Sequence, residues 1–234
     1  MQGGWAETLL SAVLPPLADA NLAEDAAVET AIPSGWPGRW VPNFSEWHRG
    51  DILLVAAGGS KTGLLVQAAQ GTLRNASVRQ AARFTHAAVY AGNGLLIEAT
   101  PGRPIGRQTV WHYCRQRAMM LRRLPATAIA QAQIDAIADA AAAHIGQPYS
   151  RTEAVLSRLV PGRETDPNRI FCSSFIDVVV AEATGLRLSA LLEHRPLYPA
   201  TLVTHPDLMT VPLEWRVMAS GQQALQRQDT APTV

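Results

Sequence analysis

Cysteine is scarce in this chain: among 234 residues only Cys114 and Cys172 carry a thiol. Two cysteines so far apart in sequence supply neither a disulfide framework nor a thiolate-rich zinc site, and a single bridge is the most they can form. An excess of one charge is also missing. Twenty Lys and Arg against nineteen Asp and Glu leave a formal charge of +1, so no global field recruits nucleic acid or an anionic membrane, and nucleic acid is not an expected partner. Long apolar runs are lacking too. The opening "MQGGWAETLLSAVLPPLADANLAEDAAVET" has no basic n-region, and Pro15 and Pro16 interrupt its apolar stretch. These features predict a soluble protein with no integral membrane segment and no cleavable signal peptide, either cytoplasmic or exported by a dedicated secretion system.

What remains is a composition 47% apolar, ample for one core domain with extensions. Residues 1–45 hold Pro15, Pro16, Pro33, Pro37 and Pro42 with Gly35 and Gly38, which reads as an N-terminal extension or docking arm. The core is expected over 46–220, and "QRQDTAPTV" lies in a loose tail over 221–234. Within the core, Ile52 to Val55 form a compact strand signal, and Ser60 to Gly71 suit a short helix. "FTHAAVYAGNGLLIEATPG" reads as a β-hairpin turning at Gly92, Asn93 and Gly94, and "RAMMLRRL" suits a further strand. In "TAIAQAQIDAIADAAAAHIGQPY", Ile134, Ile137, Ala141 and Ile145 recur at helical spacing before Gly146 and Pro148. A second helix is expected from about Cys172 to Glu182, stopping at Gly185.

The stretch "AAGGSKTG" invites comparison with a nucleotide-binding loop, but that motif needs glycine where this chain has Ser60 and Val55. Cys172 is more informative. A buried cysteine is ordinarily a small apolar filler, yet a helix starting there shares its packing face with Phe175, Ile176 and Val179 and leaves the sulfur in the first turn. Unpaired N–H groups and the positive helix end favour a thiolate at that place, and the amides of Cys172 and Ser173 can hold an oxyanion.

A thiol nucleophile needs a base, and six histidines are available. His86 stands out within "THAAVYAG", where alanines leave room around an imidazole. Glu98 sharpens the choice, because a carboxylate in the apolar strand "LLIEAT" requires a partner. A three-residue loop from Gly92 to Gly94 would set Ala91 opposite Leu95 and Ala88 opposite Glu98, placing Glu98 on the His86 face; a two-residue loop would place them on opposite faces.

In this order, "RGDILL", "FTHAAVYAGNGLLIEAT", "IGQPYS" and "FCSSFIDVV" resemble the circularly permuted branch of the NlpC-type papain-like cysteine hydrolases, a superfamily that includes relatives of lecithin retinol acyltransferase. The resemblance covers roughly residues 48 to 200. It implies an α+β fold of the permuted papain-like kind, a small antiparallel sheet with packed helices and the cysteine helix facing the histidine strand. It also implies Cys172 as nucleophile, His86 as general base and Glu98 as the residue orienting the imidazole. Tyr149 in "GQPY" matches a tyrosine beside the site, Ser173 lines the oxyanion or substrate position, and Asp51 is the rival for the orienting role. The implied chemistry is acyl transfer through a thioester with no metal or organic cofactor. The expected substrate is a peptide or lipid acyl group. A cell-wall peptide amide comes first, cleaved by a peptidoglycan amidase or endopeptidase that can serve as a secreted antibacterial effector. The alternatives are a lipid acyl hydrolase or acyltransferase of phospholipase type, and a non-catalytic binding module. An immunity or delivery protein bound through residues 1–45 would suit an effector.

Overall fold

The computed structural model of the chain describes residues 40–56, 61–71, 75–114, 118–127, 129–148, 171–192 and 197–217. Its elements, in chain order, are β1 (Trp40–Pro42), β2 (Ile52–Ala56), α1 (Lys61–Gly71), α2 (Ala76–Gln80), β3 (Phe84–Gly92), β4 (Leu95–Glu98) and β5 (Gly106–Thr109). There follow α3 (Trp111–Cys114), β6 (Met119–Arg123), α4 (Gln131–Ala143), α5 (Cys172–Thr184), α6 (Pro199–Val203), β7 (Met209–Val211) and β8 (Trp215–Val217). The architecture is α+β. An antiparallel sheet runs in the order β5-β4-β3-β2-β6-β7, and β1 pairs with β8 in a separate ribbon. That ribbon draws Trp40–Pro42 into the folded core, ahead of the boundary expected at 46.

Strand alternation builds two cores. Ile52, Leu54, Ala87, Val89 and Ile97 point to the face covered by α4 and α5, where Ile134, Ile137, Phe175, Ile176 and Val179 meet them. Leu53, Val55, Ala88, Tyr90 and Leu96 point the other way, onto Val41, Phe44, Trp47 and the α3 residues Trp111 and Tyr113. A strand covered on both sides reads as a continuous apolar run, which explains "ILLV" and "AAVY".

Helix α4 forms as expected, with Ile134, Ile137, Ala138 and Ala141 buried along one stripe. It ends at Ala143, so Ile145 falls beyond the helix and is partly exposed rather than extending the stripe. Helix α5 buries Phe175, Ile176, Val179 and Val180 and ends on Gly185, whose φ of 77° suits a left-handed cap. Gly50 fixes how closely the two layers meet. Its φ is +86°, and a Cβ there would lie 2.0 Å from the carbonyl oxygen of Ile134 at the start of α4. No helix among the described residues is long and apolar enough to cross a membrane.

Candidate active site

His86 owes its direction to an irregularity in β3. Val55 pairs with His86 and Ala56 pairs with Phe84, so Thr85 is an extra residue opposite β2. Such a bulge re-aims the side chains around it. Phe84 therefore fills the core under α5 together with Ala87, while His86 alternates with Ala87 and stands beside Tyr113, ring centroids 5.6 Å apart.

A second bulge places Glu98. Asn93 and Gly94 form a two-residue turn, both at positive φ (50° and 69°), as a tight hairpin turn requires. The expected three-residue loop is thus corrected. Gly92, rather than Ala91, pairs with Leu95, and the register slips between Tyr90 and Gly92. Ala91 is the extra residue, and beyond it Tyr90 pairs with Leu96 and Val89 with Ile97. Continuing that register sets Ala88 opposite Glu98, the pairing expected from the odd loop. The bulge supplies the third residue that the turn itself lacks.

Glu98 is buried at 1% exposure and both its oxygens are bonded. His86 Nε2 lies 2.9 Å from Oε2, which also accepts the Tyr113 hydroxyl. Oε1 accepts the Thr100 hydroxyl at 2.9 Å and Nη2 of Arg103. Burial opposes charge on Glu98, but His86, then Arg103 and Tyr113, outweigh it and hold its pKa down to about 2. Burial likewise opposes charge on His86. The Glu98 carboxylate and a hydrogen bond with the Cys172 side chain outweigh it and push the pKa up to about 10. With Nε2 committed to Glu98, Nδ1 is the nitrogen left for the sulfur.

Cys172 is the first residue of α5 and is 9% exposed. Phe175, Ile176 and Val179 behind it are fully buried, so the packing load falls on them. Phe171 caps the helix through its backbone: its carbonyl accepts the Phe175 N–H at 2.8 Å, and its own N–H donates to Ser174 Oγ at 2.8 Å. A helix leaves the amides of its first turn without a carbonyl a turn earlier to bond, and Cys172 stands at that end of α5. Ser173 is buried and its hydroxyl donates to the Leu197 carbonyl. Its side chain is thus turned into the core, and only its backbone amide suits the oxyanion position.

Asp51 does not share the site. Its carboxylate accepts the His48 N–H at 2.9 Å and takes a two-point bond from Arg123 at 2.5 and 2.7 Å. Residue 51 precedes Ile52, which pairs with Val89 at the far end of β2 from the Val55–His86 pair. Of the two carboxylates, Glu98 is the one that contacts His86. Tyr149 lies outside the described residues, as do residues 1–39 of the extension and the tail over 221–234. Sequence reasoning missed Arg103, Thr100 and Tyr113. The one signal pointing to them is Glu98 itself, since a carboxylate in an apolar strand calls for several donors, but folding alone shows which residues supply them.

No protein-family model matches the chain, and no curated protein matches it. Among solved structures it is similar to the crystal structure of metalloprotein yiiX from Escherichia coli O157:H7, a DUF1105 protein. The match has a TM-score of 0.50 at 18% identity, covering 72% of this chain and 98% of that one. At that identity the likeness concerns the fold alone.

Proposed function

We propose that this protein is a thiol hydrolase that cleaves an acyl bond through a thioester on Cys172, in the manner of the permuted papain-like hydrolases it resembles. The observation that carries this reading is the chain of bonds from Cys172 to His86 to Glu98, with the cysteine at a helix N-terminus. A protonated imidazole beside the sulfur favours thiolate, the attacking species. Sγ bonds to the carbonyl carbon while the amides of Cys172 and Ser173 hold the oxyanion. Collapse breaks the bond to the leaving group, which takes the proton from His86. Water then gives a proton to His86 and adds to the thioester; the C–S bond breaks, and the imidazolium–thiolate pair is restored. Glu98 remains ionised throughout and keeps the ring oriented.

The solved neighbour is titled a metalloprotein, yet among the described residues no group of three or more His, Cys, Asp or Glu is placed to hold a metal ion. His86 and Glu98 are committed to each other.

The first substrate reading is an amide of a cell-wall peptide. A lipid acyl group is the second. Purified peptidoglycan and phospholipid, each incubated with wild type and Cys172→Ala and analysed by mass spectrometry, separate them. Cys172-dependent release of a peptide fragment or of a fatty acid supports the hydrolase and names its substrate. Identical products from both proteins on both substrates would count against it.

A further inference from the structure

Helix α1 carries its apolar and polar residues in an unusual order. Leu64 and Leu65 face outward while Gln70 is fully buried. A buried carboxamide is tolerated only when its donors and acceptor are all used, and here they are. Nε2 donates to the carbonyls of Ala82 and Phe84, both at 2.9 Å, and Oε1 accepts the Ala200 N–H at 2.8 Å. The two ends of this amide lead to different halves of the active site. Phe84 sits at the β3 bulge, two residues before His86. Ala200 stands in the first turn of α6, three residues after Leu197, whose carbonyl accepts the hydroxyl of Ser173 beside Cys172.

We propose that Gln70 is a positioning residue that ties the histidine strand to the cysteine helix, through Phe84 on one side and through Ala200, Leu197 and Ser173 on the other. This rests on the Cys–His reading given above. A carboxamide is the side chain that can make this tie, since a leucine has no donor for the two carbonyls and a glutamate would aim negative charge at both. A displacement of about 1 Å at a reacting pair is enough to lose about a hundredfold in rate.

The test is the pH profile of Cys172 alkylation by iodoacetamide in the full chain, followed on the Cys172 peptide by mass spectrometry. His86→Ala gives the profile of Cys172 without its imidazole partner. Gln70→Leu is expected to react about tenfold more slowly than wild type at about pH 6, with its profile moved toward that of His86→Ala. Ser173→Ala cuts the same path at its other end and moves the profile the same way by less. It decides the matter if Gln70→Leu fails to fold. Asp177→Asn is the control, since Asp177 is buried in the same helix and holds Ser189 instead; it lowers thermal stability and leaves the profile in place. Folded Gln70→Leu and Ser173→Ala proteins with the wild-type profile would overturn the tie alone. A His86→Ala profile identical to wild type would remove the Cys–His reading itself, and the tie with it.

Discussion

Nε2 of His86 lies 2.9 Å from Oε2 of Glu98, and the contact exists because Ala91 is one residue too many for the strand opposite it. Without that bulge a two-residue turn would send the carboxylate to the opposite face of the sheet.

The pair therefore sets the protonation of the imidazole, and Glu98→Gln removes the largest influence holding the proton there. We predict that the His86 pKa falls from about 10 toward or below its ordinary value. An NMR titration of the imidazole in the variant checks this. A His86 that still titrates near its wild-type value would show that Glu98 does not govern it.

Asp51→Asn separates the two carboxylates that compete for the orienting role in the sequence. It breaks a buried two-point ion pair with Arg123, so it should lower stability by about 3 kcal/mol while leaving the His86 titration unchanged. Denaturant unfolding gives the first quantity and NMR the second.

Gly50→Ala tests the contact between the sheet and α4. At φ +86°, with Ile134 O 2.0 Å from the added carbon, the variant should lose at least about 2 kcal/mol. Chemical denaturation against wild type reads this directly.

Stability should fall at both ends of the pH range. The Glu98 pKa is lowered, so its contribution is present above its ordinary value of 4.5 and lost as pH drops through about 2. The His86 pKa is raised, so its contribution is complete below 6.5 and lost as pH climbs through about 10. Thermal melts of wild type and His86→Ala across pH should converge at the alkaline end and differ most between these limits.

Much of this arrangement was legible in the residues. Helical spacing located α4 and the packing face of α5, and Gly185 marked where α5 stops. The pairing of Glu98 with His86 followed from the cost of a carboxylate in an apolar strand. The bulges at Thr85 and Ala91 were not legible, because an extra residue in a strand is decided by the tertiary packing on both faces. Arg103, Tyr113 and Gln70 were hidden for a related reason: each is an ordinary residue in its own segment and acquires meaning only from a partner that folding brings to it. Periodicity likewise carried Ile145 into α4, where the turn at Gly146 pulls the chain away.

If His86 is what makes Cys172 reactive, the rate of Cys172 alkylation at about pH 6 must depend on the imidazole. His86→Ala is expected to react at least about tenfold more slowly than wild type. Equal rates in the two folded proteins would contradict the Cys–His pairing.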